Sequence, residues 1–223
     1  MLAAALALTP QLANADTVLG LYVGGQYWDT DASGEYGVGS EVFNPGFEDK
    51  GQNSYYAALE HPVPLIPNVK IRENSLEFNG GYGRNDFSHR DYIFYYEFFD
   101  NDIISFDAGI NAMDFDGTVR TPLSTTFGRQ DFSVTVPTAY LATRVGIPMT
   151  DLTLFAEASA LSIKDSKVQD AQIGIEYRLV ENLAIDLNLH AGSRHSVIEL
   201  DDVDDIYSDV TFKGPFVGLE VHF

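Results

Sequence analysis

The strongest constraint on this chain is a period of two that runs through almost all of it after Ala15. In the stretch from Leu19 to Tyr27, Leu19, Leu21, Val23 and Tyr27 alternate with Gly20, Tyr22, Gly24 and Gln26. Successive side chains of an extended strand point to opposite faces, so such a segment is apolar on one side and small or polar on the other. The alternation recurs near residues 53–61, 69–73, 91–99, 103–112, 138–147, 152–160, 171–179, 183–191 and 214–223. In the last of these, Pro215, Val217, Leu219, Val221 and Phe223 alternate with Phe216, Gly218, Glu220 and His222. Ten such segments predict an all-β chain, and an even number brings both ends of a meander to the same side.

The spacing between segments carries a second regularity. Connections at 62–68, 100–102, 148–151 and 180–182 are short, and they interleave with longer ones at 29–52, 79–90, 117–137 and 201–209; the stretch 165–167 is short where a long one would fall. Strands of roughly ten residues, with tight turns on one rim and long loops mostly on the other, predict an antiparallel up-and-down transmembrane β-barrel.

Alternation alone also suits a soluble sandwich, so the chemistry of the minor face has to decide. That face carries Glu60, Lys70, Arg72, Glu97, Asp107, Arg144, Glu157, Glu176, Arg178, Asp186, Glu220 and His222, with glycines between them. Acids and bases are nearly balanced there, although the whole chain has 33 acidic and 13 basic residues and a formal charge of -20. Near-balance is expected where opposite charges must pair in a confined lumen, and Gly and Ala leave room for the long side chains opposite them. The excess acid then falls in the loops. On the apolar face, Tyr27, Tyr55, Phe94, Phe98, Phe106, Tyr177 and Phe223 suit interfacial girdles. So acidic a chain is a poor partner for nucleic acid, which needs clustered Lys and Arg. With no cysteine, disulfides and thiolate metal sites are excluded.

Residues 2–15, uncharged and ending in Ala13-Asn14-Ala15, read as a secretory signal, too short to span a membrane as a helix. The expected domains are a signal peptide at 1–15 and a barrel at 16–223, with Asp16 as the mature N-terminus. A signal usually opens with Lys or Arg, so the true start is expected to lie several residues upstream of Met1.

The ending with apolar Val217, Leu219, Val221 and terminal Phe223 resembles the C-terminal assembly signal of outer-membrane proteins. Together with "LGLYVGGQYW", "PNVKIR", "YYEFFDN" and "LDDVDD", it makes the mature chain resemble a family of small proteobacterial outer-membrane β-barrel proteins of unassigned activity. The resemblance implies a place in the cell outer membrane, contact with lipid and lipopolysaccharide, and engagement of the barrel-assembly machinery through the final strand. It implies no cofactor. The expected function is that of a structural or surface protein with a side-chain-filled polar lumen; a narrow diffusion channel is the first alternative.

Two further chemistries find their residue types in the chain. Asp201, Asp202, Asp204 and Asp205 offer oxygen ligands to Ca²⁺ or Mg²⁺, but the spacing lacks the glycine and closing glutamate of an EF-hand loop. His190, Arg194 and His195, with the aspartates after Leu200, supply the residue types of an omptin-like outer-membrane protease, without that family's motifs.

Overall fold

The computed structural model describes residues 19–223 apart from 39–40, 45, 49, 102, 124–125, 164–165, 183–184 and 204–205. The expected signal peptide and the Asp16 boundary lie outside the described residues, as do Asp204 and Asp205.

Among the described residues there are thirteen strands: β1 (Gly20–Val38), β2 (Glu41–Phe43), β3 (Lys50–Glu60), β4 (Asn68–Asn74), β5 (Glu77–Gly80), β6 (Gly83–Asp86), β7 (His89–Asp100), β8 (Ile104–Leu123), β9 (Thr126–Gly146), β10 (Leu152–Ile163), β11 (Ser166–Glu181), β12 (Asp186–Val203) and β13 (Ile206–His222). Ten of them form a closed, wholly antiparallel meander in the order β1-β3-β4-β7-β8-β9-β10-β11-β12-β13. Pairing of β13 with β1 closes the ring, from Tyr22 opposite His222 to Val38 opposite Ile206. Across the apolar band this closure leaves no open sheet edge among the described residues, which is the condition for a sheet to stand in lipid; beyond it β9 runs past its pairing with β10, which ends at Ala139 opposite Ala160. The short strands β2, β5 and β6 are additions, β2 pairing with β1 and the β5–β6 hairpin attaching to β8.

Each of the ten expected segments contains a barrel strand, and its described residues face as expected except for Arg178. Leu21, Val23, Tyr27, Tyr55, Ile71, Phe94, Leu141, Ile173, Ile175, Val217 and Leu219 are exposed on the outer wall. The apolar band on β1 ends at Tyr27, where Asp29, Asp31, Ser33 and Glu35 take over the outward positions. From Leu19 to Tyr27 the strand rises about 26 Å, or about 20 Å along the axis at a tilt near 40°. Tyr27 and Tyr55 sit at one border of this band; Phe98, Phe106, Tyr177 and Phe223 are exposed near the other, with the Phe98 and Phe106 rings 6.5 Å apart.

The strands run well past the band, and this corrects the loop assignments. The stretch 117–137, expected to be a loop, is the far half of the β8–β9 ladder, which continues to Leu123 opposite Thr126. The segment 201–209 is likewise strand on both sides of residues 204–205, so Asp201 and Asp202 belong to β12 rather than to an open loop. One end of the barrel therefore carries the four short turns and the C-terminus. The opposite end is a sleeve of long hairpins standing clear of the apolar band.

Candidate functional site

The inward residues form three layers of different chemistry. Nearest the turns, the lumen is charged. Glu157 on β10 reaches across to β4, where Lys70 Nζ donates to it at 2.9 Å and Arg72 makes a second ion pair. Gln172 adds a hydrogen bond to the same carboxylate at 3.2 Å. Arg144 on β9 lies 3.4 Å from both Glu176 on β11 and Glu220 on β13. The Tyr56 hydroxyl donates to Glu220 at 2.6 Å, and that of Tyr95 to Glu60 at 2.8 Å. Glycine makes these long side chains possible: a Cβ on Gly24 would stand 2.4 Å from the Tyr56 ring, and one on Gly218 would stand 2.2 Å from His190.

Above the charges, a buried belt crosses the lumen. Arg194 on β12 donates from Nε and Nη2 to Asp170 on β11 at 3.0 and 2.8 Å, from Nη1 to Ser54 on β3 at 2.8 Å, and from Nη2 to Asn74 on β4 at 2.7 Å. Asn74 in turn donates to Asp91 on β7 at 2.8 Å, and Asn111 on β8 donates to the other Asp91 oxygen at 2.9 Å and to Ser159 on β10 at 3.2 Å. The guanidinium lies 4.9 Å from the Trp28 ring. Seven strands are thus tied together across the bore, and Arg194 is 1% exposed.

The third layer is apolar. Inside the sleeve, Tyr36, Leu76, Phe78, Phe87, Met113, Phe115, Val119, Ile198, Ile206, Val210 and Phe212 are wholly or almost wholly buried against one another. Phe78 is the hub, its ring 4.5 Å from Phe47, 5.8 Å from Tyr36 and 5.9 Å from Phe87. A polar lumen throughout was expected; the inward face instead turns apolar where the outer wall turns polar.

Of the expected lumen charges, Glu60, Arg72, Glu97, Asp107, Arg144, Glu157, Glu176 and Glu220 belong to the first layer. Arg178 does not: it is exposed at the turn-end rim and pairs with Glu181 at 2.7 Å. Lys70, expected on this face, supplies one of the pairs; Asn74, Asp91 and Asp170 complete the networks without any local sequence signal, because the groups they meet lie far away in sequence. The protease residue types do not converge. His190 is buried in the first layer, Arg194 is held in the belt, and His195 points outward from the wall. The assembly-signal residues Val217, Leu219 and Phe223 face outward, Val221 is half-buried, and the Phe223 N–H donates to Leu21 at 2.9 Å across the closing seam.

Within the charged layer lies a cavity of about 230 Å³, with Glu60, Asp107, Arg144, Glu157 and Glu220 in its wall. It shares Asp100, Ser105, Arg144 and Glu176 with a second hollow bordered by the turns, so it lies next to the turn end. The belt and the apolar layer stand between it and the other end.

No family model and no curated protein matches the chain. Among solved structures, the chain is similar to a FadL homologue of Pseudomonas aeruginosa (8% identity, 92% of this chain and 90% of that one, TM-score 0.41). It is also similar to the β domain of the Bordetella autotransporter BrkA (9%, 93% and 99%, TM-score 0.44) and to the Pseudomonas putida toluene transporter TodX (9%, 92% and 89%, TM-score 0.31). At these scores neither residue roles nor activities transfer. The architecture, resting on the strand pairing itself, is that of the outer-membrane β-barrels.

Proposed function

We propose that this chain is an outer-membrane β-barrel of a Gram-negative cell, with its turns and termini in the periplasm and its sleeve outside, acting as a structural or surface protein and not as a conduit. The observation that carries this reading is the double closure of the lumen by the Arg194 belt and the aromatic layer above it. Barrels of about eight strands are filled by side chains, whereas aqueous pores need about sixteen; the filling here follows the first pattern. Lipid and lipopolysaccharide are the immediate partners of the outer wall. The barrel-assembly machinery reads the strand ending in Val217, Leu219, Val221 and Phe223, and divalent cations bridge lipopolysaccharide to the acidic sleeve. The reading includes no enzymatic activity, in keeping with the separation of His190, Arg194 and His195.

Planar-bilayer recording tests it. The purified, folded protein is expected to insert without stable conductance steps. Reproducible steps of uniform size would replace this reading with that of a narrow diffusion channel.

A further inference from the structure

The charged layer is not electrically closed on itself. Glu157 is met by Lys70 and Arg72, and Glu176 and Glu220 share Arg144. Glu60, Glu97 and Asp107, on β3, β7 and β8, have no Lys or Arg within ion-pair distance among the described residues. Glu97 and Asp107 are direct cross-strand partners on the inward face. Like charges so placed repel, and the repulsion is stronger away from bulk water.

A second, independent observation points into the same cavity. Glu220, 2% exposed, has one oxygen held by Tyr56 and Arg144 while its other oxygen, Oε1, meets no partner. Asp107 Oδ1 and Gln172 Oε1 are also buried without a partner, and both residues line the cavity. Buried polar atoms are normally satisfied, and most of those left over here are acceptors. Tyr22, Tyr56, Tyr95 and Tyr140 line the cavity beside Lys70 and Arg144; Lys70 covers one face of the Tyr56 ring at 4.8 Å and His222 stacks on Tyr22, which leaves the Tyr95 and Tyr140 rings as aromatic wall. Unpaired acceptors, surplus carboxylates and aromatic faces are together what an ammonium group recognises, through charge-assisted hydrogen bonds and ring electrostatics.

From this we infer that the cavity is a binding site for a small organic cation bearing primary ammonium groups, entering from the turn end. Its hydrogens go to the orphan oxygens of Asp107 and Glu220, and its charge offsets the Glu60, Glu97 and Asp107 group. The volume, several times the roughly 30 Å³ share of one water, admits a short alkyl diamine and excludes a folded peptide. The inference rests on the reading above only for the side of entry; binding itself does not depend on which membrane holds the barrel.

The test is calorimetric titration of 1,4-diaminobutane into the folded barrel in detergent micelles, so that failure would leave the outer-membrane reading untouched. Saturable one-site binding is expected, with succinate giving no heat of binding. Glu97→Gln together with Asp107→Asn should weaken the diamine by more than about tenfold. Glu73→Gln, on the outer wall, should leave it unchanged. Every variant is checked first by heat-modifiable migration; should the double variant not fold, Glu97→Gln alone carries the comparison. Absence of saturable heat, an equal affinity in the carboxamide variant, or equal binding of Mg²⁺ and the diamine would overturn the inference.

Discussion

Replacing Arg194 with Met tests the belt most sharply. The change keeps most of the side chain's length and removes a guanidinium that makes five hydrogen bonds, three of them to Asp170 and one each to Ser54 and Asn74. Asp170 is 5% exposed and lies against no other cation at ion-pair distance among the described residues, so it would be left as a buried, uncompensated carboxylate. Stranding one partner of such a pair typically costs about 3–5 kcal/mol, whereas removing both charges is far cheaper. Arg194→Met should therefore lower folding stability by about that amount, and Asp170→Asn on top of it should restore more than half. Trp28, the single tryptophan, lies 4.9 Å from the guanidinium, so its emission reports equilibrium unfolding in urea from lipid vesicles without added probes. A loss below about 1 kcal/mol for the single variant, or a double variant no better than the single, would refute the claim that the belt is one interdependent network. The same variant should stay electrically silent, because the aromatic layer above is untouched.

Ile175, half exposed on the outer wall, should cost about 2–4 kcal/mol when changed to Arg, while Gln172→Arg should be milder; a cysteine at 175 should carry a spin label that meets lipid-dissolved oxygen and not a water-soluble relaxer. Deleting Phe223 removes both backbone hydrogen bonds to Leu21 at the seam, and unfolded chain should then accumulate in the periplasm; normal heat-modifiable migration would contradict this. An epitope placed after Gly81 should label on intact cells and one after Leu65 should not, since the two sites lie at opposite ends. Burial alone would push the Glu77 carboxyl up, but Lys50 and Arg84, both hydrogen-bonded to it, hold it below the usual range. A depressed carboxylate contributes its stability above the unfolded value of about 4.3 and loses it as pH falls through the folded one, so amide-exchange protection of the β5–β6 hairpin, corrected for the intrinsic exchange rate at each pH, should fall only in acid. Glu77→Gln should flatten that dependence.

The ten strands and their facing were legible because lipid imposes a strict rule on one face: Leu21, Val23 and Tyr27 had to alternate with something. Past Tyr27 the rule changes hands. The outward residues Asp29, Asp31, Ser33 and Glu35 are polar and the inward Thr30, Ala32 and Gly34 are small, so the local pattern resembles a loop. The strand persists because β13 runs beside it, with Gly34 opposite Val210 and Glu35 opposite Asp209, and no window on β1 contains that fact. Parity, followed further, held the missing layer: on β8, Asp107, Asn111, Met113, Phe115 and Val119 lie on one face and change from charged to apolar along it. The belt was hidden for a different reason. Arg194 and Ser54 are 140 residues apart, and their contact depends on ring closure, not on any spacing.

The change of chemistry along the bore follows from which solvent each level of the wall meets. At the level of Leu21 and Ile175 the apolar side chains spend their burial on lipid, and the interior is free to hold charge as long as it is paired. At the level of Asp31 and Lys213, which pair across the seam, the wall faces water on the outside. A sheet there is held only by what it buries inward, since apolar area removed from water is the dominant favourable contribution to folding. The sleeve must therefore carry its own core, as a water-soluble barrel does, and Phe78, Phe87, Phe115 and Phe212 supply it. The belt sits where the two regimes meet: Trp28 lies against Arg194 from the apolar side, and Ser54, Asn74 and Asp170 meet it from the polar one. On this argument the closure of the lumen is a condition for a sleeve of such length to stand in water, and shortening the β8–β9 hairpin without removing Phe115 and Phe132 should expose apolar surface instead of opening a pore.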